Sequence, residues 1–459
     1  MDPIDRLRRA VRGPVVGPGD VGFDEARRVW NGMIDRRPVA VVRAASVADI
    51  APPIAVAREL GLPLAIRGGG HNVAGNGTVE GGIVLDLGGL TDVVVDPVAQ
   101  TVTVAPGATL GDLDRATEPH GLAVPVGVVS GTGVAGLTLG GGVGWLTRAY
   151  GLSIDNLVSV DLVTATGETV RASATEDPEL FWGLSGGGGN FGVVSSFTFR
   201  AYPLGPEVLA GTFIFAQDRI PEVLRAWGEW CAAGPADAIT TIATFLAPPP
   251  EFEMGDAPLM LLGWAWASDD RPAGEATVES LRRATRPDTE AIAPVRWTAW
   301  QSAADFLFPK GVRAYWKNTS FDRLDDATIE VIARRAAEQT WLGTAFDIHH
   351  MGGAFARVPD EATAFPDRSA TYWLNVYGFW ADAADDPARI AFVRGFAADM
   401  EPHAAGGQYV NFLGQEGSGD PRAAALAVYG EPKLERLIAL KRRLDPDNVF
   451  RLNHNIPPD

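Results

Sequence analysis

Arg67-Gly68-Gly69-Gly70-His71-Asn72-Val73-Ala74-Gly75-Asn76-Gly77 is the stretch on which the reading of this chain turns. Three consecutive glycines permit positive φ and leave no side chain between the backbone and a ligand. Successive free N–H groups in such a turn form a concavity that attracts phosphate. Arg67 enters the turn and His71 closes it, so an imidazole stands where a large anionic cofactor would lie. Loop chemistry alone leaves His71 as a loop cap, a metal ligand, a base or an attachment point.

Outward from this loop, residues 39–43 and 63–67 read as buried strands. Between them runs a helix that Ser46 is expected to cap and Gly61 to end. This β–α–β unit puts the glycine loop at the carboxyl end of its second strand, where α/β folds bind ligands. Residues 2–12 and 23–35 read as helices before it. After it come strands at 82–87, 92–96 and 101–105, a helix over 109–120, a strand over 158–164 and a short helix over 177–182. Residues 186–194 form a further glycine loop.

The run Ser130-Gly131-Thr132-Gly133-Val134-Ala135-Gly136 matches G-x-G-x-x-G, with Asp155 about twenty residues on. A dinucleotide fingerprint needs its last glycine to open a helix toward pyrophosphate. Here Gly136, Gly140, Gly141, Gly142 and Gly144 crowd the continuation, which makes a poor helix. The reading is a loop pressed flat against something planar. No P-loop occurs, and no G-x-S-x-G elbow stands in a strand–helix setting.

Beyond 203–206, strands are expected at 209–215, 239–246, 260–267, 345–351 and 372–380. Helices are expected at 220–232, 272–285, 326–340 and 386–400. That interleaving implies a sheet covered on one face. A last strand at 408–413, a helix at 431–444 and a compact tail close the chain. Glycines crowd the first 200 residues, whereas tryptophans mass between Trp227 and Trp380. A glycine-rich cofactor half and an aromatic half facing an organic substrate follow from that shift.

The 459 residues carry 39 Lys+Arg against 57 Asp+Glu, a net −18, which disfavours nucleic acid and anionic membrane as partners. Cys231 is the single cysteine, so an intramolecular disulfide and a cysteine-rich metal site are excluded. The six histidines include no helical H-x-x-x-H pair, and no metal is expected. With no signal-like start and no membrane-length apolar run, the expected location is cytoplasmic.

Four segments in register carry a resemblance. They are Arg67-Gly-Gly-Gly-His71-Asn, then Gly136-Leu-Thr-Leu-Gly-Gly-Gly-Val-Gly-Trp with Arg148 and Gly151-Leu-Ser-Ile-Asp-Asn, then Gly186-Gly-Gly-Gly-Asn-Phe-Gly, and last Tyr409-Val-Asn-Phe followed by Leu440-Lys-Arg-Arg-Leu-Asp-Pro-Asp-Asn-Val-Phe-Arg-Leu-Asn-His-Asn-Ile. Together they resemble the berberine bridge enzyme-like FAD-linked oxidases of the vanillyl-alcohol oxidase superfamily, in the bacterial, singly linked type. The resemblance implies an α+β fold. A two-part PCMH-type FAD domain would be built from 1–205 and 405–459, and a substrate domain over 206–404 would carry an antiparallel sheet covered by helices.

The resemblance also assigns roles. His71 takes the place of the histidine joined to the flavin 8α-methyl carbon. Relatives with a second bond, from a cysteine to flavin C6, place that cysteine where Val129 stands here, so His71 is expected as the only anchor. Cofactor contacts are expected from Arg67, Gly68, Gly69, Gly70 and Asn72; from Val129, Ser130, Gly131, Thr132, Gly136, Leu137, Gly140, Gly141, Gly142, Gly144 and Asp155; and from Asn190, Gly192, Val193, Val194, Asn453 and Asn455. The implied reaction is oxidation of a small alcohol, amine or natural-product intermediate by hydride transfer to flavin N5, with O2 as acceptor giving H2O2. A dehydrogenase with another acceptor, a tailoring oxygenase or cyclase, and a flavoprotein without turnover are the alternatives. The family's Y-x-N-Y ends here in Phe412, which removes its last phenol. Tyr409, Asn411, Asn375 and Tyr377 are the remaining catalytic candidates, and Lys317, His350 and Trp373 the candidates for the substrate wall. The assembly is expected to be a monomer or homodimer.

Overall fold

The computed structural model describes residues 2–248, 250, 255–343, 345–414 and 419–459. Its first sheet has the order Val15–Val16, Ala40–Arg43, Ile83–Asp86, Leu64–Arg67, and the last three strands run parallel. The helix Ala51–Leu60 makes the crossover. Its prolines sit in the first turn, where an N–H has no intrahelical partner, and Gly61 ends it at φ 65°. Ser46 does not cap it: Ser46 precedes a single 3₁₀ turn and makes no capping bond. Asp49 binds this corner instead, accepting from the N–H groups of Arg12, Gly13 and Ala45.

The helix expected over 23–35 shrinks to Phe23–Ala26. Long-range partners claim the rest of its backbone: Trp30 N–H donates to Gly70 O at 2.9 Å, and Gly32 N–H to Val312 O at 2.8 Å. Five antiparallel strands form the second sheet, in the order Val93–Asp96, Thr101–Val104, Val193–Arg200, Leu157–Val163, Thr169–Ser173. Between its strands, Val134–Leu139 is helical, against expectation. Gly136 alone lies inside the helix; Gly140, Gly141, Gly142 and Gly144 follow it, and Gly141 and Gly142 take φ of 135° and 83°. The flanking sheet is antiparallel, so the G-x-G-x-x-G run belongs to no Rossmann unit.

A seven-stranded antiparallel sheet has the order Thr289–Arg296, Glu207–Ala216, Leu259–Trp266, Ile239–Leu246, Ala345–His350, Tyr372–Trp380, Arg313–Phe321. Sequence reading misses Thr289–Arg296 and Arg313–Phe321. The first is an edge strand, mostly exposed and carrying Pro294; the second alternates Trp316 and Asn318 with Tyr315 and Lys317 rather than running apolar. Helices Ile220–Ala232, Arg271–Thr285, Asp326–Glu338 and Asp386–Met400 cover one face and bury Phe213, Trp264, Phe346 and Val376. The other face, with Trp316 and Tyr377, turns toward the glycine loops. The fold is α+β.

The strand expected over 408–413 is absent. The Tyr409 N–H is taken by the Asn318 side chain at 3.0 Å, and Val410–Phe412 curls into a 3₁₀ turn. The expected helix over 431–444 is present, and an unexpected helix precedes it from Pro421, the two parted by a non-helical Gly430 at φ 68°. Among the described residues no helix is long and apolar enough to cross a membrane.

Helix Trp297–Gln301 packs on helix Leu110–Thr117 and seals Asp114 beneath it. Asp114 is 2% exposed, with Gln301 Nε2 donating to it at 3.3 Å. Burial pushes its carboxyl up to about 7 from an ordinary value of 3.8. Folding therefore takes up a proton: its stability contribution is fully present below 3.8 and is lost as pH rises through about 7. Asp114→Asn is expected to flatten that decline in a thermal-unfolding series across pH. An unchanged slope would contradict the assignment.

Candidate active site

A cavity with about 1580 Å³ of non-atom space, its open mouth included, lies between the glycine loops and the seven-stranded sheet. Its floor comes from the first loop: Gly68, Gly69, Gly70, His71 and Asn72 all line it. Arg67 holds that loop from below. It donates to Ala26 O at 2.6 Å and forms a buried ion pair with Asp86 at 3.0 Å, so its charge is already neutralised.

His71 stacks on Trp30, with ring centroids 4.7 Å apart, and tilts against Trp316 at 6.4 Å. Enclosure draws its pKa down to about 4. At neutral pH the imidazole is therefore uncharged and keeps a nitrogen lone pair. Gly69 and Gly133 touch backbone to backbone: a Cβ on Gly69 would sit 2.5 Å from Gly133 N. Val129, Thr132, Gly136, Leu137 and Gly140 continue the wall, and Asn190, Gly192, Val193, Val194 and Asn453 complete it.

Other candidates lie elsewhere, each for a local reason. Ser130 is turned to Asp305, which accepts from both its N–H and its hydroxyl. Gly131 faces open space. Gly141 packs on Phe365, Gly142 on Ser153 and Gly144 on Val126 O, all behind the wall. Asp155 is locked by Arg368 at 2.6 and 2.9 Å, an ion pair nearly sealed from solvent. Asn455 stands off the wall, its Oδ1 buried without a partner.

Strand alternation sorts the candidates on the sheet. Lys317 falls on the face opposite Trp316, and His350 on the face opposite His349; neither lines the cavity. His350 meets Arg148 instead, at 3.3 Å. Trp373 faces the right way but is wedged between Phe365 and Tyr409, at 5.9 and 5.2 Å. Asn375 lies behind the wall, where it donates to Asp347 at 2.8 Å and accepts from Asn318 at 2.8 Å.

Tyr377, Tyr409 and Asn411 do line the cavity. Tyr409 Oη accepts from Gly142 N–H at 3.0 Å and Asn411 Nδ2 at 2.9 Å, and burial pushes its phenol up to about 12. Burial and the neighbouring Asp347 carboxylate raise Tyr377 well above 10. Both phenols are neutral at physiological pH.

Sequence reasoning missed Phe308, Trp316, His349 and His454 on this wall. Phe308, Trp316, Tyr377 and Phe412 form an edge-to-face box: Phe308–Tyr377 5.2 Å, Trp316–Tyr377 5.1 Å, Trp316–Phe412 5.6 Å and Tyr377–Phe412 5.7 Å. Phe412, noted only as a lost phenol, is one of its sides. Three buried ring nitrogens on the wall lack a hydrogen-bond partner: Trp316 Nε1, His349 Nε2 and His454 Nε2. Unsatisfied buried polar atoms converging on one cavity fit a polar ligand. A Cβ on Gly136 would meet nothing within 4 Å, which leaves a flat open surface at this wall. Among the described residues no group of His, Cys, Asp and Glu could hold a metal ion.

A glycine loop, a flat glycine wall and an uncharged histidine in one cavity fit a flavin dinucleotide. Family models agree: the FAD binding domain matches residues 38–173, and "Berberine and berberine like" matches 408–457. The chain is 30% identical to (R)-6-hydroxynicotine oxidase of Paenarthrobacter nicotinovorans, covering 98% of each. It is similar in structure to 6-hydroxy-D-nicotine oxidase from Arthrobacter nicotinovorans, with TM-score 0.85, 28% identity and 98% of each chain covered. Glucooligosaccharide oxidase from Acremonium strictum, described with a 6-S-cysteinyl, 8α-N1-histidyl FAD, shares the fold at TM-score 0.85 and 22% identity over the full length of both. The chain belongs to the berberine bridge enzyme-like family of FAD-linked oxidoreductases.

Proposed function

We propose that this enzyme oxidises a flat, ring-bearing alcohol or amine, holds its FAD through His71 alone and uses O2 as acceptor. Bound in this cavity, FAD supplies a two-electron acceptor for a substrate hydride and passes the electrons to O2 as H2O2. The observation that carries the reading is the aromatic box of Phe308, Trp316, Tyr377 and Phe412, which shares its wall with His71. The four rings pack edge-to-face on one another and together present an apolar surface to the cavity, suited to a planar group and with few donors for a ring of hydroxyls. The relatives named above act on 6-hydroxynicotine in one case and a glucooligosaccharide in another, and the box favours the former kind of substrate.

Two features support a single flavin bond. His71 is uncharged and presents a nucleophilic nitrogen to the cavity. Val129 stands on the wall in the position expected for a cysteine, while Cys231 is buried in helix Ile220–Ala232 and away from the cavity. We assign residues 1–205 and 405–459 to cofactor binding and 206–404 to the substrate, in a cytoplasmic monomer or homodimer.

Anaerobic mixing with (R)-6-hydroxynicotine, benzyl alcohol and cellobiose tests the reading. Bleaching by a ring compound, then rapid reoxidation and H2O2 release on admitting air, is the expected result. Bleaching by cellobiose alone would contradict the substrate class. Slow reoxidation in air would favour a dehydrogenase with another acceptor.

A further inference from the structure

The oxidation releases a proton as well as a hydride, and the groups nominated from sequence do not accept it well. Asn375 and Asn411 are amides. Tyr377 and Tyr409 hold their protons at neutral pH, and Tyr409 Oη is already engaged by Gly142 and Asn411. Tyr429 lines the cavity, but its hydroxyl donates to Gly186 O at 3.3 Å. His71 is the proposed flavin anchor, and His454, whose Nε2 is also unpartnered, has no carboxylate beside it among the described residues and is drawn below the ordinary imidazole value by burial.

His349 is different. It lies on strand Ala345–His350, two residues from Asp347, so both side chains share the face turned to the cavity. Its ring lines the cavity, the residue is 3% exposed, and Nε2 has no hydrogen-bond partner. Asp347 Oδ1 stands 3.3 Å from Nε2, close enough for an ion pair but off line for a hydrogen bond. Asp347 itself is set back behind the wall and held by Asn375 Nδ2 at 2.8 Å. A carboxylate behind an imidazole, with substrate space in front, is the arrangement by which a base is oriented and its charged form stabilised.

We propose that His349 is the proton acceptor of the oxidation and Asp347 its charge partner. The proposal rests on the oxidoreductase reading above. The substrate loses one C–H and one O–H or N–H bond. The C–H electron pair leaves as hydride to the flavin, and the proton from oxygen or nitrogen forms an N–H bond on the His349 ring. The carbon–heteroatom bond becomes double. The imidazolium is held by the Asp347 carboxylate until it gives the proton to solvent. The titratable groups near it are Asp347 on its own strand, Tyr377 on the neighbouring strand and Tyr409, with His71 and His454 farther along the same cavity.

Two measurements on the holoenzyme test this. Nitrogen-15 NMR of the histidine-labelled protein needs no substrate. The His349 ring-nitrogen signals are expected to shift in Asp347→Asn, because the carboxylate 3.3 Å from Nε2 loses its charge. Signals unmoved by D347N overturn the pairing. The second is stopped-flow flavin bleaching by (R)-6-hydroxynicotine across pH. His349→Gln is expected to slow it about 10²–10⁴-fold and to abolish the acidic limb of the profile, with flavin content unchanged. In D347N the limb is expected to shift to lower pH. Retention of the wild-type rate or of the limb in H349Q overturns the proposal. If the wild type is not bleached at all, the substrate reading fails while the NMR arm still decides the pairing.

Discussion

Gly69→Ala is expected to give a folded chain that carries almost no flavin. The added Cβ would lie 2.5 Å from Gly133 N and 2.6 Å from Gly133 Cα. Those are backbone atoms, so no side-chain rotation relieves the contact and the two loops must part. Overpacking of this kind costs about 1–3 kcal/mol. The larger effect falls on the cofactor, because both loops line the cavity and their spacing sets its floor. Two neighbours separate fold from loading. Gly131→Ala enters open space away from the wall and is expected to change neither. Gly136→Leu enters open space at the wall, so it should leave the apoprotein as stable as wild type while excluding FAD. Thermal unfolding of apoprotein beside flavin absorbance of purified protein reads both quantities. Full flavin content in G136L would contradict the placement of the cofactor.

Lys441→Met is expected to destabilise the fold by about 3–5 kcal/mol, because it removes one partner of a buried ion pair. Lys441 and Asp445 side chains are both fully buried, 2.7 Å apart. Lys441 Nζ also donates to Asn190 O at 2.9 Å and Phe450 O at 2.8 Å. Asp445 accepts from the N–H groups of Val449 and Phe450, each at 2.8 Å. Those two donors survive in the variant, which places the loss toward the lower end. Asn190 lines the cavity and accepts from Ile456 N–H at 3.1 Å, so loosening this knot should lower flavin loading too. The double variant K441M/D445N leaves no orphan charge and is expected to recover part of the loss in denaturant unfolding. A single variant as stable as wild type would contradict the role given to this pair.

The parts of the site legible in sequence are those whose chemistry is local. A glycine triplet followed by histidine specifies its own turn, and the tail from Asp445 to Asn455 announces a compact knot. Residues whose roles depend on distant partners were not legible. Asp155 stood at the spacing of a ribose-binding acid, but Arg368, 213 residues later, takes its carboxylate. His350 and Lys317 lie on strands whose phase the sequence does not reveal, and one step along each strand moves a side chain to the other face. With that phase known, the alternation Asp347, His349 would have shown the acid–imidazole pair directly. Phe308 reaches the cavity from the segment after Asp305, which Ser130 holds, a contact no local pattern reveals. Backbone competition explains the misread elements: Trp30 and Gly32 bond across the molecule, and Tyr409 gives its N–H to Asn318.

The proposed attachment is one flavin joined through His71 and nowhere else. Acid precipitation followed by tryptic peptide mass spectrometry tests it most directly. The expected result is flavin in the precipitate and an FAD-derived mass on the peptide containing His71, with the Cys231 peptide unmodified and all flavin released from His71→Ala. Free FAD in the wild-type supernatant, or an adduct on any other residue, would contradict it.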